Sequence, residues 1–274
     1  MNLNALPKAK QSELLELLFG RSGARLSAMK ATMLGNDFST ATHGKWTTYD
    51  DTPEDFELAH FSIARDLGPN GSLTFIKRAL AAGFAGTIQA YMDYPPDWML
   101  VGGRTNETVR PECYDVLARY MASYVEAYAS HGVHIDFFEC FNEPTDSYTQ
   151  MDPAQLATFL GRHAGPTFEK RGLWPKMKLT YGGQCARETT AAFVPEVLAD
   201  EAAAKYMDLI AYHGAHHHPA RASPPRVPPR APPACVSHVE RRVHRRSRHR
   251  HRWQATTASS RTTARATTSA STTT

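Results

Sequence analysis

Residues 1–214 alternate between stretches with apolar residues every three or four positions and short unbroken apolar runs. The first kind marks amphipathic helices and the second buried strands. Residues 8–19 predict a helix with Leu14, Leu15 and Leu18 on one face and Gly20 as its stop. A strand is expected from Leu26 to Leu34. Thr52-Pro53-Glu54-Asp55 predicts a helix start, with Thr as cap, Pro at the first position and acids in the first turn. A helix over 72–82, a strand over 84–91 and a polar loop over 93–99 follow. Residues 112–130 carry the most regular stripe, Cys113, Leu117, Tyr120, Met121, Tyr124 and Tyr128, as expected of a core helix.

The most informative run is 134–144, where Ile135, Phe137, Phe138 and Phe141 lead into Asn142-Glu143-Pro144. Aromatic and β-branched residues favour a strand, and a proline cannot continue a central ladder, so the strand is expected to stop there. Glu143 would then leave the core half shielded from water. Burial raises a carboxyl pKa, which suits a general acid; the competing reading is a plain turn residue. Downstream, a helix is expected from Asp152 to about Lys170, a strand at 177–181, a helix at 189–199 and a strand at 207–212.

Strict alternation of helix and strand argues for a parallel sheet covered by helices. No glycine-rich phosphate loop favours a nucleotide-binding sheet. Polar residues instead gather after successive strands, at Asp37, Asp93, Asn142 with Glu143, Gln184 and His213. The fold class expected is α/β, a TIM-type (β/α)8 barrel, present as a partial barrel of about five strands. An open doubly wound sheet is the rival layout.

Charge divides the chain. Twelve of the 31 basic residues but one of the 27 acids lie beyond position 214, so residues 1–214 carry −7 and residues 215–274 carry +11. Two units are therefore expected: a partial (β/α)-barrel domain over 1–214, and a tail over 215–274 rich in Arg, Pro and His, then Thr and Ser. Such a tail buries too little apolar area to offset its ordering entropy, so disorder is expected. Arg241 to Arg252 could attract phosphates, and His216-His217-His218 could take up a metal adventitiously. Solvated sequence is the plainer account of both. Four cysteines without CxxC spacing indicate neither a disulfide framework nor a zinc site.

Several blocks together resemble glycoside hydrolase family 30, in particular its glucosylceramidase-like members. They are Gly35 to Ser39, Tyr49 to Phe56, Phe61 to Asp66, Pro95-Pro96-Asp97-Trp98-Met99, Asn142-Glu143-Pro144 and Ala211 to Gly214, spread over about residues 5–214. The resemblance implies a retaining β-glycosidase acting on a β-glucosyl bond of glucosylceramide, a related glycolipid or a β-glucoside. It matches Glu143 to the general acid/base and Asn142 to the residue that hydrogen-bonds the sugar hydroxyl beside the anomeric carbon. Asp37 matches a carboxylate binding sugar hydroxyls, and Trp98 and His213 match pocket positions. No metal or organic cofactor is required by this mechanism. Contact with a membrane surface would accompany a glycolipid substrate, and no nucleic-acid partner is expected.

Departures accompany the matches. Tyr91-Met92-Asp93 stands where the family has Ser-Pro-Trp, putting an acid in place of a sugar-facing aromatic. The family's nucleophile is a Glu on a later strand about 5–5.5 Å from the acid; past residue 208 the sole acid is Glu240, a weak candidate. The first helix resembles the one after the family's first strand. The expectation is thus an incomplete member, or a reading frame that departs from the family after residue 214. Two rivals stand beside an active enzyme: a sugar-binding relic without a nucleophile, and a protein binding nucleic acid or a partner through its tail. Family members are lysosomal or secreted, but the N-terminus lacks the basic start and apolar run of a signal peptide, so location stays open.

Overall fold

The computed structural model describes residues 3–36, 41–42, 45–103, 106–145, 148–213 and 238–241. Its centre is a sheet of five parallel strands, β1 (Ala28–Thr32), β2 (Thr87–Tyr91), β3 (Phe137–Glu139), β4 (Lys178–Gln184) and β5 (Leu209–Tyr212), in sequential order. A sixth, β6 (His238–Arg241), pairs antiparallel with β5. Helices α1 (Lys8–Phe19), α2 (Ser72–Ala81), α3 (Tyr114–Ser130), α4 (Pro153–Thr158), α5 (Gly165–Lys170), α6 (Arg187–Leu198) and α7 (Glu201–Tyr206) precede and link the parallel strands. Sequential parallel order with a helical crossover at every step is the arrangement of a (β/α) barrel rather than a doubly wound sheet, whose strand order reverses. Eight strands close such a barrel; the described sheet is an open arc.

Side chains on successive strand residues point to opposite faces. On the helix side, Phe138 is fully buried between Tyr124 of α3 and Phe168 of α5, with ring centroids at 6.4 and 5.7 Å. The α3 stripe anticipated from spacing is the core of this layer: Cys113, just before the helix, and Leu117, Tyr120, Met121, Tyr124 and Tyr128 within it all have no exposed surface. Leu117 and Met121 each contribute about 1.5–3 kcal/mol through burial. On the concave face the strands carry polar residues instead. Lys30 lies opposite Gln89, and Tyr91 opposite Glu139.

Residues 153–170 form one continuous helical stretch, as expected, with a π-helical segment at Phe159–Ala164 between α4 and α5. Asp152 closes a capping box with Gln155, satisfying both ends of the first turn. The expected helix at Thr52 does not form. Residues 52–60 are a series of turns, because Glu54 and Leu58 adopt φ of 59° and 55°, which no right-handed helix admits. Side chains close those turns instead: Asp50 accepts the Thr52 N–H at 3.2 Å, and Asp55, expected as a first-turn acid, accepts the His60 N–H at 2.8 Å.

Candidate active site

The strand ends are locked together by backbone hydrogen bonds that continue the ladder past its last regular pairs. Asn142 N–H donates to the Met92 carbonyl at 2.9 Å, Glu143 N–H to Gly183 at 3.0 Å, and His213 N–H to Gln184 at 3.0 Å. The C-terminal ends of β2, β3, β4 and β5 are thereby drawn to one rim. That rim is where side chains of successive strands converge in this architecture.

Making the bond to Glu143 requires β4 to bulge. Its register shifts between Tyr181 and Gln184, where Gly182 and Gly183 adopt φ of 107° and 22°. A side chain at Gly183 would meet Glu139 Oε1 at 1.8 Å, so the bulge depends on glycine for space as well as for conformation. Glu143 itself has φ of 46°. A non-glycine residue held in the left-handed region costs of order 1 kcal/mol or more and is concentrated at functional sites.

On this scaffold, His213 Nδ1 lies 2.6 Å from Glu143 Oε1. The two side chains are 16% and 21% exposed, shielded but reachable. Lys30 Nζ approaches His213 Nε2 at 3.4 Å from the other side, stands 3.9 Å from Glu139 Oε2, and lies over the Tyr91 ring at 4.0 Å. Gln89 Nε2 donates to Glu139 Oε2 at 3.3 Å. A carboxylate, an imidazole, an ammonium and a second carboxyl thus run from the rim down into the concave face.

The electrostatics of Glu143 differ from the expectation. Burial does push its carboxyl up, but the hydrogen bond from His213, and the positive charge that ring carries when doubly protonated, outweigh it. Cys185 and Lys30 act in the same direction, and the group ends below its ordinary 4.5. In the free protein Glu143 is a carboxylate at neutral pH, not the protonated acid expected from burial. The raised carboxyl is Glu139 beneath it: desolvation dominates there, Lys30 and His213 oppose it, and Glu143 adds to it.

The other expected positions fare unequally. Asn142 stands beside Glu143 with its Oδ1 buried and, among the described residues, without a hydrogen-bond partner, a polar atom whose desolvation a bound hydroxyl would offset. Trp98 is 8% exposed, packs edge-on against Phe56 at 5.4 Å and donates its indole N–H to the Asp50 carbonyl at 3.3 Å. It anchors its loop and presents no open face to a sugar. Asp93 is buried below the rim, its carbonyl accepting from Thr149 Oγ1 at 2.8 Å. Asp37 and the three-histidine run at 216–218 lie outside the described residues. Glu240 lies on β6, paired with Ile210. Because β6 is antiparallel, His238 rather than the strand's C-terminal end adjoins Tyr212 at the rim.

Two features escaped the sequence reading. Lys30 was hidden in an expected strand, although a lysine flanked by Met29 and Ala31 is a recognisable oddity. Trp46, on a short strand (Lys45–Trp46) paired antiparallel with Ala41–Thr42, packs edge-on with Tyr148 and Tyr94 at 4.1 and 5.4 Å and keeps part of its surface exposed. Among the described residues no group of three or more His, Cys, Asp or Glu could hold a metal ion, and no helix is long and apolar enough to cross a membrane.

Comparison with known proteins turns on the same region. The model of the glycosyl hydrolase family 30 TIM-barrel domain matches residues 1–227. The chain belongs to that family. It is 28% identical over 228 residues to a lysosomal acid glucosylceramidase of Mus musculus, covering 78% of this chain and 43% of the relative. It is likewise 28% identical over 186 residues to an endo-1,6-β-D-glucanase of Neurospora crassa, covering 64% of this chain and 38% of the relative. Among solved structures, an endo-β1,6-glucanase superposes with a TM-score of 0.69 at 22% identity, over 78% of this chain and 49% of that one. The catalytic domain of a family 30 xylanase from Talaromyces cellulolyticus gives 0.63 at 18% identity over 77% of this chain. At those identities the superpositions establish the shared partial barrel. The chain spans less than half the length of the curated relatives it matches.

Proposed function

We propose that this family 30 glycosidase chain supplies the proton-donating half of a retaining β-glycosidase site, with Glu143 as general acid/base. The observation that carries the reading is the 2.6 Å contact between His213 and Glu143 at the rim where the parallel strands end. Retaining hydrolysis needs a carboxyl group that first protonates the leaving oxygen and then activates water. Glu143 is anionic before substrate arrives. A sugar that displaces water desolvates it further and favours the protonated form, the proton being taken up from solvent before the site closes. Asn142 would accept from the hydroxyl beside the anomeric carbon, a bond that strengthens as charge develops there.

The substrate class that fits is a β-glucoside, either a small one or the headgroup of a glycolipid. Named relatives divide between glucosylceramidase and β-1,6-glucanase, so glucose is the shared sugar. The test is hydrolysis of a chromogenic β-glucoside and of glucosylceramide in mixed micelles, with Glu143→Gln as control. Turnover abolished by that exchange supports the reading. Turnover that survives it, or none with either substrate, sinks it.

A second reading, sugar binding without turnover, rests on the direction of β6. A nucleophile must stand at the rim about 5–5.5 Å from the acid, and the strand carrying Glu240 reaches that rim with its N-terminal end. Saturable binding of a β-glucoside by a chain that fails to hydrolyse it, lost on Asn142→Ala, would select this reading.

A further inference from the structure

The polar face beneath Glu143 holds a buried carboxyl for which the proposed reaction has no use. Glu139 is 1% exposed, four residues before Glu143, and its Oε1 has no hydrogen-bond partner among the described residues. Its Oε2 faces Gln89 Nε2 at 3.3 Å and Lys30 Nζ at 3.9 Å. Lys30 comes from β1, crosses the Tyr91 ring at 4.0 Å and meets His213 Nε2 at 3.4 Å. His213 completes the row by meeting Glu143 at 2.6 Å. The row draws on four strands or their ends.

We propose that Glu139 and Lys30 are positioning residues that fix the tautomer of His213 and, through it, the hydrogen bond delivered to Glu143. An ammonium has three donors and no acceptor. In the neutral ring the imidazole nitrogen facing Lys30 must therefore be the acceptor, which leaves the proton on Nδ1, aimed at Glu143 Oε1. Without Lys30 either ring nitrogen could carry that proton. Glu139 acts one step further back. Its buried carboxyl holds Lys30 over the concave face, where a flexible four-carbon stem would otherwise swing to solvent. The rotational freedom of Lys30 is limited from a third side by Tyr91, whose hydroxyl accepts from Thr32 Oγ1 at 2.6 Å. The assignment rests on the reading of Glu143 as acid/base for its purpose, but not for its geometry.

The test is nitrogen NMR of the whole chain labelled in its histidines, with His213 assigned by the signal lost in His213→Asn. In the parent protein Nε2 is expected at the unprotonated position and Nδ1 at the protonated one. Lys30→Met should shift both toward averaged values. Glu139→Gln, nearly isosteric and tolerable where the larger change impairs folding, should shift them in the same direction by less. Lys30→Arg, which still donates, should restore the parent pattern. An Nδ1–H ring unchanged in Lys30→Met and in Glu139→Gln overturns the proposal. Because the readout is a tautomer, it separates this inference from the glycosidase reading: a chain that hydrolyses nothing can still show the shift, and an active chain can still lack it.

Discussion

His213 Nδ1 and Glu143 Oε1 stand 2.6 Å apart although 70 residues separate them, and this contact brings the carboxyl below its ordinary 4.5 against the pull of burial. A carboxyl depressed in the folded state adds stability above its unfolded pKa and loses it as pH falls through the folded value. Breaking the contact with His213→Asn should cost about 1.5 kcal/mol at neutral pH, the scale of a hydrogen bond to a charged group. It should also move the Glu143 titration, followed by carboxyl carbon NMR, upward toward 4.5 or beyond. A titration that stays in place would show that Cys185 and Lys30 suffice.

Gly183→Ala tests the bulge. The added carbon would meet Glu139 Oε1 at 1.8 Å at a backbone φ of 22°. Destabilisation of about 1–3 kcal/mol is expected from overpacking. Gly132→Ala, where φ is 78° but no atom lies within 4 Å, isolates the conformational part and should cost less. Combining Gly183→Ala with Glu139→Ala should recover part of the loss. Urea unfolding of the parent, Gly183→Ala, Glu139→Ala and the double variant gives the coupling directly.

How much of this could be read beforehand depended on the range of the signal. Helix α3 was legible because Leu117, Tyr120, Tyr124 and Tyr128 lie on one face, and periodicity reports burial. The strand leading to Glu143 was legible from Phe137, Phe138 and the proline that stops it. Residues 52–60 misled because Thr, Pro and Asp serve tight turns as well as helix starts; the φ values of Glu54 and Leu58 decide, and no local pattern encodes them. Helix α7, absent from the expectation, is short, and its Ala203 and Tyr206 are fixed by tight approach to Gly161 and Gly165. That is a tertiary constraint. The sign of the Glu143 shift was illegible for the same reason, since it depends on a histidine from another strand.

Glu139 should leave the opposite mark on pH dependence. Desolvation raises its pKa against Lys30 and His213, so the folded protein binds more protons than the unfolded chain above 4.5. Stability should therefore decline as pH rises from the unfolded value through the folded one. Glu139→Gln removes the titration and should flatten the profile above the ordinary carboxyl value of 4.5. Denaturant midpoints across that range provide the measurement. Equal slopes in parent and variant would mean that Lys30 keeps Glu139 ionised throughout.

Two tryptophans near the rim should separate by role. Trp98 is 8% exposed, and its indole N–H is spent on the Asp50 carbonyl. Trp98→Phe should lower stability by about 1–3 kcal/mol through the orphaned carbonyl and lost volume, with little effect on affinity for a β-glucoside. Trp46 packs edge-on against Tyr148 and Tyr94 and keeps part of its surface exposed, which is the disposition an aromatic needs to stack on a sugar face. Trp46→Ala should weaken β-glucoside binding by about tenfold, close to 1.4 kcal/mol, at a smaller cost in stability than Trp98→Phe. Affinity from titration calorimetry and stability from urea unfolding, measured on both variants, decide it. If Trp98→Phe proves to be the exchange that loses affinity, the sugar lies on the Phe56 side of the rim instead.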